Sequence, residues 1–250
     1  MLARQTGGAQ LNEQRFLRNE MLIGKEGAEK LSQSSVIVFG VGGVGSACAE
    51  SLARSGIGAI TLVDADCVDA TNLNRQLLAT NETVGRPKTD VMAERILSIN
   101  PHCRVQKIHM FYLPENADSI DLSAYDYIVD AIDTVSAKIE LIVRAKRLNI
   151  PIISCMGTGN KLRPEMLTIS DIYKTRVCPL CRVMRRELKT RGIDKLKVVY
   201  SEEEPITPFF QPEDTHKKNT PGSMPFVPPV AGFLIASAVV SDILRSGGKS

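Results

Sequence analysis

The stretch that most constrains this chain is residues 35–76. An apolar run, Val36 to Phe39, leads directly into a glycine-rich turn containing Gly40, Gly42, Gly43 and Gly45. A helix of small residues follows over about 46–55. A second apolar run over 60–63 then ends on Asp64, 19 residues after the last glycine. Strand, glycine turn, helix, strand and terminal acid make a nucleotide-binding βαβ unit. The glycines allow a tight turn and close approach of a phosphate to the backbone, and the helix start offers unpaired N–H groups to the anion. An acid at the end of the second strand can hold ribose hydroxyls.

The next block narrows the ligand. Asp66 follows Asp64, then come Asn72, Arg75 and Gln76, then Gly85, Pro87 and Lys88. A dinucleotide-dependent dehydrogenase has no need of this block. One amide and two cations just beyond the acid suit a triphosphate, which has more charge to neutralise.

Downstream, the spacing predicts a helix over 87–100 with Pro87 in its first turn, a strand over 105–110 and a short connection over 114–122. A strand is expected over 125–131, a helix over 135–149 and a strand over 150–154. Alternation of this kind argues for an α/β, Rossmann-like, mostly parallel sheet with helices on both faces. Ligands bind such sheets at the C-terminal ends of the strands. Asp64 and Asp133 both lie at such ends and are expected to share one crevice. Ahead of this core, residues 15–31 read as a helix and residues 1–10 as a mobile start without the features of a signal peptide. After it come a strand over 166–170, a basic helix over 174–191, a strand over 196–200, a mobile proline-rich loop over 201–225 and a buried helix over 230–244. The expected organisation is an N-terminal helical segment (1–34), a Rossmann-like nucleotide-binding core (35–159) and a C-terminal α+β extension (160–250).

Composition adds limits. A net charge of +3 over 250 residues says little about partners, so local clustering matters more. Six scattered cysteines do not make a disulfide scaffold and point to a reducing cytoplasm. The longest apolar stretch near the end, 230–240, is shorter than the roughly 20 residues a bilayer span needs, so no membrane is expected. Between residues 174 and 197 there are nine Lys or Arg against two acids, an excess of +7. A solvated helix face is the plain reading of such a run. RNA phosphates are the preferred one, with Lys174, Arg176, Arg182, Arg185, Arg186 and Lys189 as the contact candidates. Cys178 and Cys181 form a single pair where a structural zinc needs four ligands, so zinc is not expected. Two thiols at a helix start are the preferred reading, with a low-pKa thiol as the variant.

Together, Gly40 to Gly45, Asp64 and Asp66, Asn72 to Gln76, Gly85 to Lys88, and Asp130 with Asp133 resemble the ubiquitin-activating-enzyme-like adenylyltransferases over residues 15–159. Gly157 to Asn160, Asp171 to Thr175, Cys178 to Leu180, Arg182 to Arg185, Lys197 to Pro205 and Gly222 to Pro228 are similar to one branch, the tRNA threonylcarbamoyladenosine dehydratases. The resemblance implies ATP-dependent cyclisation of the threonylcarbamoyl group on an adenosine beside the anticodon of tRNA. It implies Arg75 and Lys88 on the β and γ phosphates, Asp133 on Mg²⁺, Asp64 on ribose, and Asn72 fixing the nucleotide. Gly40, Gly42, Gly43, Gly45 and Asp66 complete the nucleotide site. Arg18 matches an arginine that reaches the phosphates of a neighbouring subunit, which implies a homodimer. A monovalent cation and sulfur-relay accessory proteins are further candidates. Three other readings compete. A sulfur-carrier adenylyltransferase predicts a second cysteine pair. A nicotinamide-dependent oxidoreductase leaves Arg75, Lys88 and Asp133 without purpose. A non-catalytic tRNA-binding module does not explain the full set of nucleotide motifs.

Overall fold

The computed structural model describes residues 14–210 and 220–246. The expectation for residues 1–10 and the middle of the expected 201–225 loop lie outside the described residues. Seven strands form one sheet: β1 (Ser35–Phe39), β2 (Ala59–Val63), β3 (Arg104–Ile108), β4 (Tyr127–Asp130), β5 (Ile152–Cys155), β6 (Leu167–Asp171) and β7 (Lys197–Ser201). Their order is β3-β2-β1-β4-β5-β7-β6, parallel throughout except for the β6–β7 pair. From β1 the chain builds outward through β2 and β3, then crosses back to lay β4 on the other side of β1. The order therefore reverses between β1 and β4, and a crevice opens where their C-terminal ends part.

Alternation along β1 divides the core. Val36 and Val38 face one layer, with Leu52, Met92 and Ile235. Ile37 and Phe39 face the other, with Leu141, Ile142 and Met184. A strand flanked on both faces has no solvent side, so β1 reads as an unbroken apolar run. The first layer holds α2 (Gly43–Arg54), α3 (Lys88–Ile99) and α6 (Val227–Arg245); the second holds α4 (Val135–Arg147) and α5 (Pro179–Lys189). α1 (Leu17–Gln33) precedes the sheet and kinks at Gly24.

The strands and helices fall within a few residues of expectation, with two informative differences. The basic helix begins at Pro179 and not near residue 174. Residues 172–174 form a separate 3-10 turn and Val177 adopts φ 68, a left-handed value hostile to a β-branched residue, so no helix can run through. Pro179, lacking an N–H, then suits the first turn. Second, the segment after 159 shares the core sheet, because β7 pairs in parallel with β5 and β6 closes the edge. α6 is long and apolar enough to cross a membrane by length and composition, but it lies against α2 in the core, with ten buried residues. Asp242 anchors its far end by accepting from Tyr127 Oη (2.6 Å) and Lys197 Nζ (2.7 Å).

Gly45 has a role that spacing alone did not reveal. A Cβ there would meet the Gly40 carbonyl oxygen at 1.8 Å. It packs α2 closely under the turn, and its side-chain position faces backbone and not the cleft. Gly45→Ala should destabilise the protein by at least the upper end of the roughly 1–3 kcal/mol typical of overpacking, because the clash is with backbone. A denaturant midpoint equal to wild type would contradict this.

Candidate active site

The crevice between β1 and β4 is a cleft of about 480 Å³. One wall is the glycine turn. Gly40 has φ 84, and a Cβ there would lie 2.6 Å from Ala131 O, so only glycine fits between the two strand ends. Gly42 stands at the N-cap of α2 and lines the cleft with Gly43. The amides of the first helical turn thus face the same space, where an anion is favoured.

Asp64, at the end of β2, is oriented by backbone. Its two carboxylate oxygens accept from Val41 N–H at 2.6 Å and Asp66 N–H at 2.8 Å. Each oxygen keeps a lone pair toward the cleft, as a ribose-binding acid requires. Asp66 is exposed and holds Lys88 Nζ at 2.7 Å. Lys88 itself is buried at the first residue of α3, and its own N–H donates to Asp66 O. Residues 66–68 and 85–88 are strapped together by further backbone bonds, Val68 N–H to Arg86 O and Gly85 N–H to Val68 O. The Gly85-to-Lys88 block therefore exists to hold this lysine beneath the acids.

Asn72 is buried; its Oδ1 accepts from Asp69 N–H and it lines the cleft. Arg75 is half-buried. Its guanidinium donates to Thr71 O (2.7 Å) and Asn74 Oδ1 (2.8 Å) and has no carboxylate within ion-pair distance among the described residues. Burial pushes its pKa below the ordinary value. A half-buried cation whose acceptors among the described residues are neutral is poised for an anion.

On the β4 side the two aspartates divide their work. Asp130 is fully buried, 2.9 Å from Lys138 Nζ, and accepts from Ser154 Oγ. Lys138 also donates to Ile132 O and Cys155 O at 3.0 and 2.8 Å, tying the ends of β4 and β5 to the loop between β4 and α4. Asp133, exposed on that loop, reaches the cleft. Asp64 and Asp133 thus share one crevice, as their strand-end positions led one to expect.

Three features were not assigned from sequence. Gln76 is buried against the cleft with no hydrogen-bond partner for Oε1. Its place beside Arg75 in the conspicuous block was the available signal. Met110, Phe111 and Tyr112 form an apolar end of the cleft beyond Asp64, with Tyr112 edge-on to Phe39 at 4.8 Å. Being uncharged at neutral pH, they gave no chemical signal. Lys138 looked like an ordinary polar residue of a helix.

Arg18 is exposed on α1 and does not line the cleft of its own chain. On the basic face, Lys174, Arg176, Arg182, Arg186 and Lys189 are exposed. Arg185 is half-buried, donating to Thr175 O at 2.9 Å and to Thr175 Oγ1. Cys178 and Cys181 are buried at the start of α5, and all six cysteines are free. Donation from the Cys181 thiol, with the amides of Cys181, Gly157 and Leu180, outweighs burial and lowers the Cys178 pKa to about 5. The same shared proton, with burial, raises that of Cys181. A lowered thiol pKa stabilises the fold fully above the unfolded value of 9.0, and this contribution is lost as pH falls through about 5. Thiolate absorbance should therefore be present at neutral pH, titrate near 5 and vanish in Cys178→Ser. Its absence from the wild-type protein at neutral pH would contradict the assignment.

The chain matches the model of the ThiF family over residues 16–246. It is 46% identical over 243 residues to the tRNA threonylcarbamoyladenosine dehydratase of Bacillus subtilis (strain 168), covering 92% of this chain and 94% of that protein. The crystal structure of the Escherichia coli tRNA N6-threonylcarbamoyladenosine dehydratase with AMP superimposes with a TM-score of 0.86 at 36% identity, covering 95% of this chain and 96% of that one. The same E. coli enzyme with ATP gives 0.82 at 36%, covering 94% and 97%. The molybdopterin-synthase adenylyltransferase of Salmonella typhimurium (strain LT2) is more distant, 32% identical over 69% of this chain and 70% of that protein.

Proposed function

Since the chain belongs to the ThiF family, we propose that it uses ATP to dehydrate N6-threonylcarbamoyladenosine beside the anticodon of tRNA, closing the threonylcarbamoyl side chain into a ring. The observation that carries this reading is the pairing of Arg75, half-buried and with only neutral hydrogen-bond acceptors among the described residues, with the glycine turn on one cleft. That arrangement favours a polyanion over a dinucleotide.

The chemistry follows from what a carboxylate lacks. Its charge repels nucleophiles, so it must first be activated. A carboxylate oxygen attacks the α-phosphorus of ATP, the bond to the β-phosphate oxygen breaks, and pyrophosphate leaves. The acyl adenylate then meets a nitrogen of its own ureido group. The new C–N bond displaces AMP and the nitrogen gives up its proton. Ring closure is intramolecular, so held geometry alone can supply an effective molarity of up to about 10⁵–10⁸ M. The protein's work is to bind, orient and exclude water. The Gly40–Gly43 turn and the start of α2 receive phosphates, and Arg75 and Lys88 take the β and γ groups. Asp64 holds the ribose, Asn72 and Asp66 border it, and the apolar end takes the base.

Among the described residues no cluster of three His, Cys, Asp or Glu could cage a metal. A hard carboxylate on the β4 side of a phosphate-binding cleft, Asp133, fits Mg²⁺, which is commonly held by one or two carboxylates plus substrate phosphates and water. Asp133 would hold that ion, which supplies charge neutralisation on the triphosphate. The six free thiols support a reducing compartment, the cytoplasm.

Arg18 acts in trans in this reading, across a homodimer. The exposed Leu17, Met21 and Leu22 beside it on α1 support a second copy as the partner of that helix. Arg18→Ala should lose activity alone and regain part of it when mixed with a Lys88→Met chain, since one of the two sites in the mixed dimer is then intact. No complementation would remove the trans role. Exposed Lys174, Arg176, Arg182, Arg186 and Lys189 supply the phosphate-binding face.

A second reading, activation of a sulfur-carrier protein's C-terminal glycine, draws on the Salmonella relative. ATP–pyrophosphate exchange separates the two. Exchange that requires threonylcarbamoylated tRNA supports dehydration, and exchange that requires a sulfur carrier and ignores tRNA overturns it.

A further inference from the structure

Beside the cleft lies a surface that nucleotide chemistry does not use. Phe209 is fully exposed (101%) and Phe210 nearly so (78%), and Leu162 and Ile206 are exposed with them. Bare aromatic rings in a group mark a binding surface more often than an accident. The segment that carries them is anchored at Ile206 by Asn160, which follows Gly159 at the cleft wall. Ile206 N–H donates to Asn160 O at 2.8 Å, Gly222 N–H donates to Asn160 Oδ1 at 2.7 Å, and Asn160 N–H donates to Gly222 O at 2.7 Å. Leu162 N–H donates to the Glu203 carboxylate at 2.9 Å, joining the two apolar stretches. Phe209 is three residues beyond the pinned Ile206, so its backbone lies within about 11 Å of that anchor.

The rim carries exposed guanidinium groups, each paired with a carboxylate: Arg163 with Glu165 at 2.7 Å, and Arg176 with Glu202 of the segment itself at 3.1 Å. Lys174 and Arg182 continue the charge with no carboxylate partner among the described residues. Flat π faces bordered by guanidinium groups suit unpaired bases on a phosphate chain, which stack on aromatic rings while cations hold the backbone.

We propose that Phe209 and Phe210 are a stacking platform for the unpaired bases next to the substrate adenosine, gripping the RNA loop at the mouth of the cleft. This rests on the tRNA reading above and adds the element that presents the loop to the site.

The chain has no tryptophan, so Phe209→Trp and Phe210→Trp each report from one position only. The probes are an RNA hairpin with an unpaired anticodon-like loop and a blunt RNA duplex of equal length. The hairpin should quench the tryptophan emission and the duplex should not. Removing both rings (Phe209→Ala with Phe210→Ala) should raise KM for tRNA roughly tenfold per ring, leaving KM for ATP within twofold. Equal quenching by both RNAs, or an unchanged KM for tRNA in an otherwise active protein, would overturn the proposal. Emission that follows protein concentration and ignores RNA would make the surface a contact between copies and would also overturn it. Quenching by the hairpin with no dehydration by wild type would sustain the platform and sink the reaction assigned above.

Discussion

Lys88→Met is expected to cut pyrophosphate release by roughly 10²–10³, the cost of removing one preorganised electrostatic contact from a reacting centre. The reason lies in how the lysine is held. Its stem is buried at the head of α3, its N–H is tied to Asp66 O, and its ammonium rests on Asp66. Methionine keeps the buried stem and removes only the charge. The partner left behind is exposed and returns to water, so stability should change little. The thermal midpoint therefore stays near wild type while turnover collapses, and tRNA affinity, which the proposal above places on a different face, is expected to hold. Turnover within a few fold of wild type would remove Lys88 from the phosphate site.

Lys138→Met should have the opposite character, with a loss of stability of about 3–5 kcal/mol. Both partners of the Lys138–Asp130 pair are fully buried, so taking away the cation strands a carboxylate where water cannot reach it. Ile132 O and Cys155 O lose a donor in the same step. The loop that carries Asp133 would then lose its tie to β5. Adding Asp130→Asn should recover part of the loss, because a neutral amide is cheaper to bury than a lone charge. Urea denaturation of the three variants checks this. A single variant as stable as wild type, or a double variant worse than the single, would show that the pair is not what holds the loop.

These two lysines mark what could and could not be read from the sequence. Lys88 was legible because it belongs to an ordered block just beyond the acid of a βαβ unit, and that unit fixes where strand ends lie. The same rule brought Gly40, Asp64 and Asp133 into one crevice from positions 93 residues apart at the extremes. Lys138 was not legible, since a lysine in a helix normally faces solvent and only the tertiary fold buries this one. The packing role of Gly45 was not legible, because a glycine that admits a ligand and a glycine that admits a backbone have the same letter. Arg185 lies on a basic helix with its neighbours, yet Thr175 draws it inward. The early start expected for α5 failed at Val177, whose left-handed backbone no propensity would anticipate. The cleft end formed by Met110 to Tyr112 follows a strand that could be foreseen, but contact chemistry without charge leaves no mark in the sequence.

The most direct measurement of the central claim is mass spectrometry of nucleosides from threonylcarbamoylated tRNA incubated with this protein, Mg²⁺ and ATP. The account predicts that the modified adenosine loses the mass of one water, and that omitting ATP or substituting Lys88→Met prevents the loss. A modified adenosine of unchanged mass, in the presence of a protein that binds ATP and tRNA, would contradict it.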